Sequence, residues 1–339
     1  MPSADRTWND ALSDCAREPI HTPGAIQPYG VLLVLDPLTL LVRECAVSQP
    51  IALRQYGDPL MQHVENALGG VIGPFVHRLR HIAPGGTLHL GAVHLDGLGR
   101  HQLLAHRSDD DLLIELEAPV AGQPASLEEL YPAIRELMLA IEGAATVEDL
   151  CQLAAAHIRR IAGFDRTLVY QFDAGWNGTV VAEDGNGILP SYLDLRFPES
   201  DIPAQARALY LHNRVRLIAD CDYTPVPLVR AGHHRQAPPT DLSLSTLRSV
   251  SPVHLQYMRN MGTAASMSVS LIHEGQLWGL VSCHSAQPRR LPYHVRTACE
   301  FMGQILSLQI ALKQRARAVE ERVGRRSLLV KLLGRMAGD

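Results

Sequence analysis

The spacing of apolar residues changes partway along this chain of 339 residues, from a strand-like pattern to a helix-like one, and this change divides the chain into two halves. Between residues 29 and 118, apolar residues form short or alternating runs that Gly and Asp interrupt, which is typical of β-strands. We predict strands at 31–35, 40–47, 87–95, 101–106 and 112–116, and short helices at 59–68 and 74–82. The first half is therefore predicted to be a small α+β domain.

The second half opens with apolar residues at steps of three and four, which predict helices. Ser126 and Glu129 form a capping-box pattern at the start of the first helix. A second helix begins at Thr146 and ends at Gly163. The later elements are strands 167–172 and 179–182, a helix 252–260, a hairpin 266–284 and a helix from 297 onward. A second α+β domain follows from this order, and the long stretch 221–251 favours a functional loop.

Composition narrows the classes of function. Hydrophobic residues make up 46% of the chain and charged residues 19%, so both halves are expected to fold. A net charge of -4 argues against a general electrostatic grip on nucleic acid or on a membrane surface. No secretory signal and no membrane-spanning apolar run occur, so we expect a cytoplasmic protein. The six cysteines include no CxxC pair, which argues against a zinc ribbon or haem attachment.

Cys15 is the first candidate for chemistry. It lies before the first predicted strand among charged neighbours, so its thiol is expected to be accessible and able to add to an electrophile. An incidental surface thiol is the alternative, and the residues alone favour that alternative.

A second candidate group surrounds Asp201, in the segment FPESDIPAQARALY that begins at Phe197. The carboxylate precedes a predicted helix, so an N-cap formed by Ser200 or Asp201 is the alternative to a functional role. Arg216 follows at a spacing that allows its guanidinium to bind a carboxylate ligand, and a solvated basic face fits the same spacing.

The helix 252–260 is predicted to be capped by Ser251 and ended by Gly262. One of its faces carries four residues that are related by helical steps: His254, Tyr257, Met258 and Met261. This set suits the wall of a pocket for a large flat ligand. A hydrogen-bonded core histidine is the alternative for His254.

The hairpin 266–284 alternates serines with apolar residues. A three-residue turn at 273–275 would place Ser266 and His284 on the same face, where they would line a cavity. A two-residue turn at 274–275 would instead direct His284 to the other face. An ordinary exposed face of hydroxyl groups is the alternative.

Four separated blocks of the chain resemble the chromophore-binding part of the bacterial phytochromes. They are Cys15 with PIHTPGAIQPYG (19–30), FPESDIPAQAR (197–207), RSVSPVH (248–254) and LWGLVSCH (277–284). The resemblance implies an α+β fold with a PAS-like antiparallel sheet domain followed by a GAF domain. The implied limits are 1–125 for the N-terminal extension and PAS domain, 126–310 for the GAF domain, and 311–339 for the start of a helical connector to a PHY domain.

The same resemblance implies biliverdin IXα as the cofactor, joined by a thioether from Cys15 to the vinyl group of ring A. Asp201 is then expected near ring D, where isomerisation occurs, and His254 and His284 at the inner nitrogens and at the ring D carbonyl. The residues implied to hold the propionates are Arg216, Arg248, Ser251, Ser266 and Ser268. The remaining implied contacts to the pigment are Ile26, Tyr170, Phe197, Ile202, Pro203, Tyr210, Tyr257 and Met261.

The resemblance also implies a red/far-red photoreceptor module that is not itself an enzyme. A figure-of-eight knot is expected, with Ile26 inside the loop of about 221–251, as an exception to the rule that loops do not thread. The long helices are expected to form a parallel homodimer. Neither nucleic acid nor a membrane is an expected partner, and a response regulator would act only through an output module, such as a histidine kinase, that this sequence lacks.

The chain departs from the family pattern at Glu199, Tyr29, Ser285 and Val250, and Glu199 puts the local tuning of charge in question. Two alternatives stay open. One is a thiol enzyme with Cys15 as nucleophile. The other is a GAF module that binds a small nucleotide or haem without light chemistry.

Overall fold

The computed structural model describes residues 18–48, 58–96, 99–123, 126–232 and 236–336, with side chains described up to residue 326. Its strands are β1 (Ala25–Ile26), β2 (Gly30–Leu35), β3 (Val42–Val47), β4 (Thr87–Leu95), β5 (Gly99–Arg107), β6 (Leu112–Glu117), β7 (Arg166–Phe172), β8 (Gly178–Gly185), β9 (Arg196–Phe197), β10 (Val215–Ile218), β11 (Val226–Pro227), β12 (Val229–Arg230), β13 (Ala265–His273) and β14 (Gln276–Ser285). Its helices are α1 (Val64–Ala67), α2 (Val76–Arg80), α3 (Leu127–Glu142), α4 (Val147–Ala162), α5 (Ala204–His212), α6 (Pro252–Asn260) and α7 (Tyr293–Met336).

The chain forms two compact units. The first unit comprises Met1–Ala125, Glu199–Met267 and His284–Tyr293, and the second comprises Ser126–Pro198, Ser268–Cys283 and His294–Asp339. One six-stranded sheet has the order β12-β3-β2-β6-β5-β4, and another has the order β10-β13-β14-β7-β8-β9. This is the predicted α+β architecture.

The central strand β2 of the first unit is buried along its whole length because both of its faces are covered. Successive side chains of a strand point to opposite faces. Leu33 therefore packs in one apolar cluster with Leu79 of α2, whereas Leu32 packs in a second cluster with Leu247. The antiparallel pairs of β2 with β3 and with β6 fix this register.

The five strands predicted for the first half are confirmed, with ends that differ by no more than two residues. The two short helices are shorter than predicted. Met61 has a φ of 65°, in the left-handed region, so no α-helix can run through it, and α1 begins only at Val64. The second predicted helix begins as a 3₁₀ turn, Gly73–Phe75, before it continues as α2.

The helices α3 and α4 of the second unit begin where the capping patterns predict. At α4 the capping box is complete, because the backbone N–H of Asp149 donates to the Thr146 hydroxyl (3.0 Å) and the N–H of Thr146 donates to the Asp149 carboxylate (2.9 Å). Gly163, with a φ of 66°, ends α4 in the left-handed conformation. At α3 the Ser126 hydroxyl accepts from the N–H of Glu129 (3.4 Å).

The helix α7 spans 44 residues and begins four residues before the predicted start. Its Gly303 allows a close approach to β13, because a Cβ atom there would lie 2.7 Å from Cγ1 of Val269. Among the residues that the structure describes, no helix is both long and apolar enough to cross a membrane.

Two parts of the stretch 221–251 form backbone contacts with β1. Ile26 pairs with Val226 on one side and forms a bridge with Arg248 on the other. The N–H of Ser249 also donates to the carbonyl of Ala25 (3.0 Å). These bonds on both sides of β1 agree with the expected knot, whose threading stays a prediction.

Candidate functional site

Arg216 of β10, which is half-buried, and Arg248, which is buried, are two cations of the first unit. A guanidinium N–H of Arg216 donates to the backbone carbonyl of Arg248, and Nη1 of Arg248 donates to the carbonyl of Ile20 (2.5 Å). Nη1 of Arg216 and Nε of Arg248 are buried and form no hydrogen bond with the described residues. Neither side chain forms an ion pair within the described part of the chain.

The pKa of each of these arginines is lowered. Burial is the main cause for both, and the charge of Arg216 lowers the pKa of Arg248 further. A buried cation without an anion is costly, because desolvation disfavours the charged form. The geometry therefore fits an anionic ligand whose carboxylates would accept from the unused N–H groups.

Ser251 is the N-cap residue of α6, as predicted, but its hydroxyl forms no capping hydrogen bond. The hydroxyl instead donates to the carboxylate of Glu18 (2.5 Å), so its capacity as a donor is already used. Binding a propionate at Ser251 requires Glu18 to release this bond. Glu18 lies directly before the block 19–30, and no sequence pattern indicates its contact.

Asp201 closes a 3₁₀ turn, Glu199–Asp201, ahead of α5. The N-cap of α5 is Pro203, so Asp201 and Ser200 are not its caps. The carboxylate of Asp201 accepts a hydrogen bond from the hydroxyl of Tyr257 (3.0 Å). Burial raises the pKa of Asp201, and the bond from Tyr257 opposes that rise.

The turn that carries Asp201 is held by Arg207 of α5. Its guanidinium donates to the carboxylate of Glu199 (2.7 Å) and to the carbonyl of Ile202 (2.7 Å). Ile202 and Pro203 are half-buried on this turn. Glu199, one of the positions where the chain departs from the family pattern, thus forms an ion pair with Arg207 within this turn.

The helix α6 has the bounds that the sequence predicts, 252–260. The rings of His254 and Tyr257 stack with centroids 6.1 Å apart, while Met258 is buried and Met261 is half-buried. Burial, and then the charge of Arg216, lowers the pKa of His254 to about 4. His254 is therefore neutral at pH 7 and can donate or accept according to its tautomer.

The hairpin turns at two residues, because Glu274 (φ 51°) and Gly275 (φ 77°) are both left-handed between β13 and β14. The three-residue alternative is therefore wrong, and the turn no longer places Ser266 and His284 on one face. Both side chains are buried, and the Ser266 hydroxyl contacts Sδ of Met258 (3.7 Å). Ser268, in the second unit, is half-buried.

Tyr170 and Phe197 belong to an aromatic group in the second unit. Their ring centroids are 6.0 Å apart, and Tyr192 lies 5.7 Å from Phe197. Gly178 faces the Tyr170 ring so closely that a Cβ atom there would lie 1.7 Å from Cζ. The absence of a side chain at Gly178 therefore leaves the space that the Tyr170 ring occupies.

The remaining predicted residues are spread over other elements. Ile26 is fully buried in β1, and Tyr210 is half-buried in α5. Cys15 lies outside the described residues.

Two residues at this site were missed by the sequence analysis. Gln27 is fully buried, and its amide Nε2 donates hydrogen bonds to the backbone carbonyls of Leu217 (3.0 Å) and Arg248 (3.4 Å). The Tyr223 hydroxyl lies 2.7 Å from that of Ser249 and accepts from the N–H of Val250 (2.8 Å). Gln27 belongs to the block 19–30, whereas nothing in the pattern around Tyr223 indicates a role.

Comparison with known families gives two matches. The PAS fold matches residues 15–119, and the GAF domain matches residues 146–313. The chain is 39% identical to cyanobacterial phytochrome B of Nostoc sp. over 97% of this chain and 44% of that protein. It is 36% identical to the bacteriophytochrome of Xanthomonas campestris pv. campestris over 92% of this chain and 49% of that protein. The chain thus spans about half the length of the curated relatives it matches.

Solved structures agree with these matches. The chromophore-binding domain of bacteriophytochrome RpBphP3 from R. palustris superimposes with a TM-score of 0.79 at 41% identity, covering 90% of this chain and 99% of that one. The wild-type chromophore-binding domain of a Stigmatella aurantiaca phytochrome gives a TM-score of 0.78 at 40% identity, covering 86% of this chain and 98% of that one.

Proposed function

Because the chain belongs to the bacterial phytochrome family through its PAS and GAF domains, we propose that it is a red/far-red photoreceptor module that binds biliverdin IXα through a thioether to Cys15. When bound, this pigment supplies light absorption and isomerisation at its ring D. The chain's own residues bind the pigment, orient it and compensate its charges.

The observation that carries this proposal is the pair of buried guanidiniums of Arg216 and Arg248, which keep N–H groups without acceptors. Biliverdin has two propionates, and an unpaired buried carboxylate costs several kcal/mol. Arginine can offer two parallel N–H groups to a carboxylate. The pigment's two acids and the protein's two cations would therefore remove each other's desolvation penalty.

At the ring system, Asp201 and His254 are proposed to supply acceptors for the pyrrole N–H groups and for ring D. The Tyr257 hydroxyl holds the Asp201 carboxylate from α6, so that one hydrogen bond links two segments of the proposed site. His254 is neutral, which lets it act as an acceptor near a cationic ring system. The other residues that the resemblance implies for pigment binding belong to the same proposal.

The remaining cysteines support Cys15 as the attachment point. Every cysteine that the structure describes is buried: Cys45, Cys151, Cys221, Cys283 and Cys299. Burial raises the pKa of each of these thiols, to about 11 for Cys45 and to about 12 for Cys151 and Cys283. They are therefore poor nucleophiles at neutral pH.

The test is to incubate the purified chain with biliverdin, record its absorption before and after red illumination, and then run denaturing electrophoresis. We expect a red absorption band that changes with light and a pigmented protein band on the gel. Cys15→Ser should lose the pigmented gel band, whereas the control Cys221→Ala should keep it. A colourless protein, or an equal pigmented band in Cys15→Ser, contradicts the proposal.

A parallel homodimer is proposed from the second unit. Large apolar side chains lie exposed on α3 and α7, among them Tyr131 (61% exposed), Leu139 (58%), Leu308 (67%) and Leu312 (58%). Such a patch on a folded protein favours association. Leu308→Glu with Leu312→Glu should shift the mass measured by light scattering from dimer to monomer, and a monomeric wild-type chain would contradict this part of the proposal.

The domain limits 1–125, 126–310 and 311–339, a cytoplasmic location and control of an output module such as a histidine kinase belong to the same proposal. Their support is the family membership alone.

A further inference from the structure

Glu115 of β6 is a fully buried carboxylate that accepts hydrogen bonds from Thr246 and Leu247, the two residues before Arg248. One of its oxygens accepts from the backbone N–H of Thr246 (3.0 Å). The other oxygen accepts from the Thr246 hydroxyl (2.6 Å) and from the backbone N–H of Leu247 (2.8 Å). Burial, and then the charge of Glu117, raises the pKa of Glu115 to about 7, and the bonds from Thr246 and Leu247 oppose that rise. These bonds restrain two consecutive residues.

The same peptide is held from its other side. The carbonyl of Leu247 accepts from the backbone N–H of Gln27 (2.7 Å), and the fully buried Leu247 side chain packs against Gly30, where a Cβ atom would lie 2.7 Å from Cδ1. The next carbonyl, that of Arg248, accepts from Arg216. The backbone of Arg248 therefore has little freedom while Glu115 keeps its three bonds.

We propose that Glu115 is a positioning residue for pigment binding: its carboxylate fixes the 246–247 peptide and so directs the Arg248 guanidinium at a propionate. The inference rests on the proposed function, because it assumes an anionic pigment at Arg248. Glu115 touches no pigment in this scheme and acts through Arg248.

His106 and Glu117 lie beside the Glu115 carboxylate, and burial lowers the pKa of Arg216 while the charge of Glu115 opposes that lowering. Nδ1 of His106 lies 3.4 Å from the carboxylate, and Glu117 shares the Thr246 hydroxyl at 2.7 Å. Neither of them bonds to the backbone of 246–247 in the described contacts. The backbone restraint therefore belongs to Glu115.

Glu44 of β3 offers a matched control. It is also buried in the first sheet, and it also anchors the stretch 221–251, since it accepts from the Thr240 hydroxyl (2.8 Å) and pairs with Nε of Arg230 (3.1 Å). Its contacts lie away from the peptide that precedes Arg248. A general loosening of the stretch would follow from either substitution, whereas misdirection of Arg248 would follow only from a change at Glu115.

The experiment uses Glu115→Gln and Glu44→Gln in the full chain with Cys15→Ser, which makes pigment binding reversible. Each protein is titrated with biliverdin and with biliverdin dimethyl ester, whose propionates carry no charge. Glutamine keeps the shape of Glu115, but an amide N–H₂ replaces one carboxylate oxygen. That N–H₂ faces a backbone N–H and cannot accept a hydrogen bond from it. Losing one such acceptor should weaken biliverdin binding about tenfold.

We expect Glu115→Gln to weaken binding of biliverdin but to leave binding of the ester within about twofold, and Glu44→Gln to change neither by more than that. Unchanged biliverdin binding in Glu115→Gln overturns the inference, and so does an equal loss for pigment and ester. If the parent binds neither ligand, the proposed function itself fails, and this outcome is distinct from a parent that binds and a variant that binds equally well.

Thr246→Val serves if Glu115→Gln does not fold, as judged by circular dichroism. This change removes the hydroxyl donor and keeps both backbone N–H groups. It should weaken biliverdin binding about threefold, again without an effect on the ester. No loss of biliverdin binding in that variant overturns the inference.

Discussion

The carboxylate of Glu115 and the guanidiniums of Arg216 and Arg248 are buried in the same compact unit, but their hydrogen bonding differs. Glu115 accepts three hydrogen bonds from one short segment. Each arginine keeps a buried N–H group without an acceptor. Buried polar groups in native proteins are nearly always paired, so an unpaired one needs an explanation. The contrast indicates that the acid finds its hydrogen-bond partners within the chain, whereas the arginines keep donors for a ligand.

Of the substitutions that test this comparison, Glu115→Leu should have the largest effect, and the effect should be on stability. The change leaves the two backbone N–H groups of 246–247 without their acceptor, while the Thr246 hydroxyl can still donate to Glu117. We expect a loss of about 2 to 4 kcal/mol in the free energy of unfolding of the pigment-free chain. Urea unfolding followed by circular dichroism measures it, and a loss below about 1 kcal/mol would show that water replaces the carboxylate.

Arg248→Met should instead leave stability nearly unchanged and weaken pigment binding. Methionine removes a buried cation that has no anion, so the unfolding free energy of the pigment-free chain should stay within about 1 kcal/mol or rise. Binding of biliverdin in the Cys15→Ser background should weaken about thirtyfold, the equivalent of roughly 2 kcal/mol, because a charged hydrogen-bond donor to a propionate is lost. Arg248→Lys should recover part of the affinity. A large loss of stability without a loss of affinity would assign Arg248 to the fold.

The pKa of His254 tests the arginine side of the comparison, because the charge of Arg216 contributes to its value. Its pKa is lowered to about 4 in the folded chain from 6.5, by burial and then by Arg216. The stability that neutral His254 contributes is thus fully present above pH 6.5 and is lost as the pH falls toward 4.

We expect the pigment-free chain to lose about 1 to 2 kcal/mol of unfolding free energy over this interval through His254, and His254→Gln to flatten the curve by that amount. Arg216→Met should raise the pKa of His254 in a proton NMR titration. An unchanged pKa would leave burial as the only cause.

The sequence predicted the elements whose signals are local. The apolar run of β2 and the capping pattern at Thr146 follow from neighbouring residues, and both are confirmed. Ser251 is the N-cap residue of α6 as predicted, but its hydroxyl donates to a distant acid, Glu18, instead of capping the helix. The turn length at Glu274 stayed open because Gly275 satisfies the left-handed position of either turn.

The candidate site was predictable as a set of residues but not as a network. The blocks of sequence pointed to Arg248 and Asp201, and one of them contains Gln27, but they did not indicate the hydrogen bonds of Gln27, Glu115 or Tyr223. Their hydrogen bonds join residues that are far apart in the chain, such as Gln27 and Arg248 at a separation of 221. A hydrogen bond over such a distance depends on the assembled fold and leaves no periodic pattern.

The pairing of β1 with residues so much later in the chain also has a consequence for biosynthesis. At a translation rate of about 5–20 residues per second, roughly ten to forty seconds pass between the emergence of Gln27 and that of Arg248. During this interval the backbone N–H and carbonyl groups of the N-terminal segment have only water or transient partners. The ribosome-bound chain must therefore keep that segment accessible until the later residues arrive.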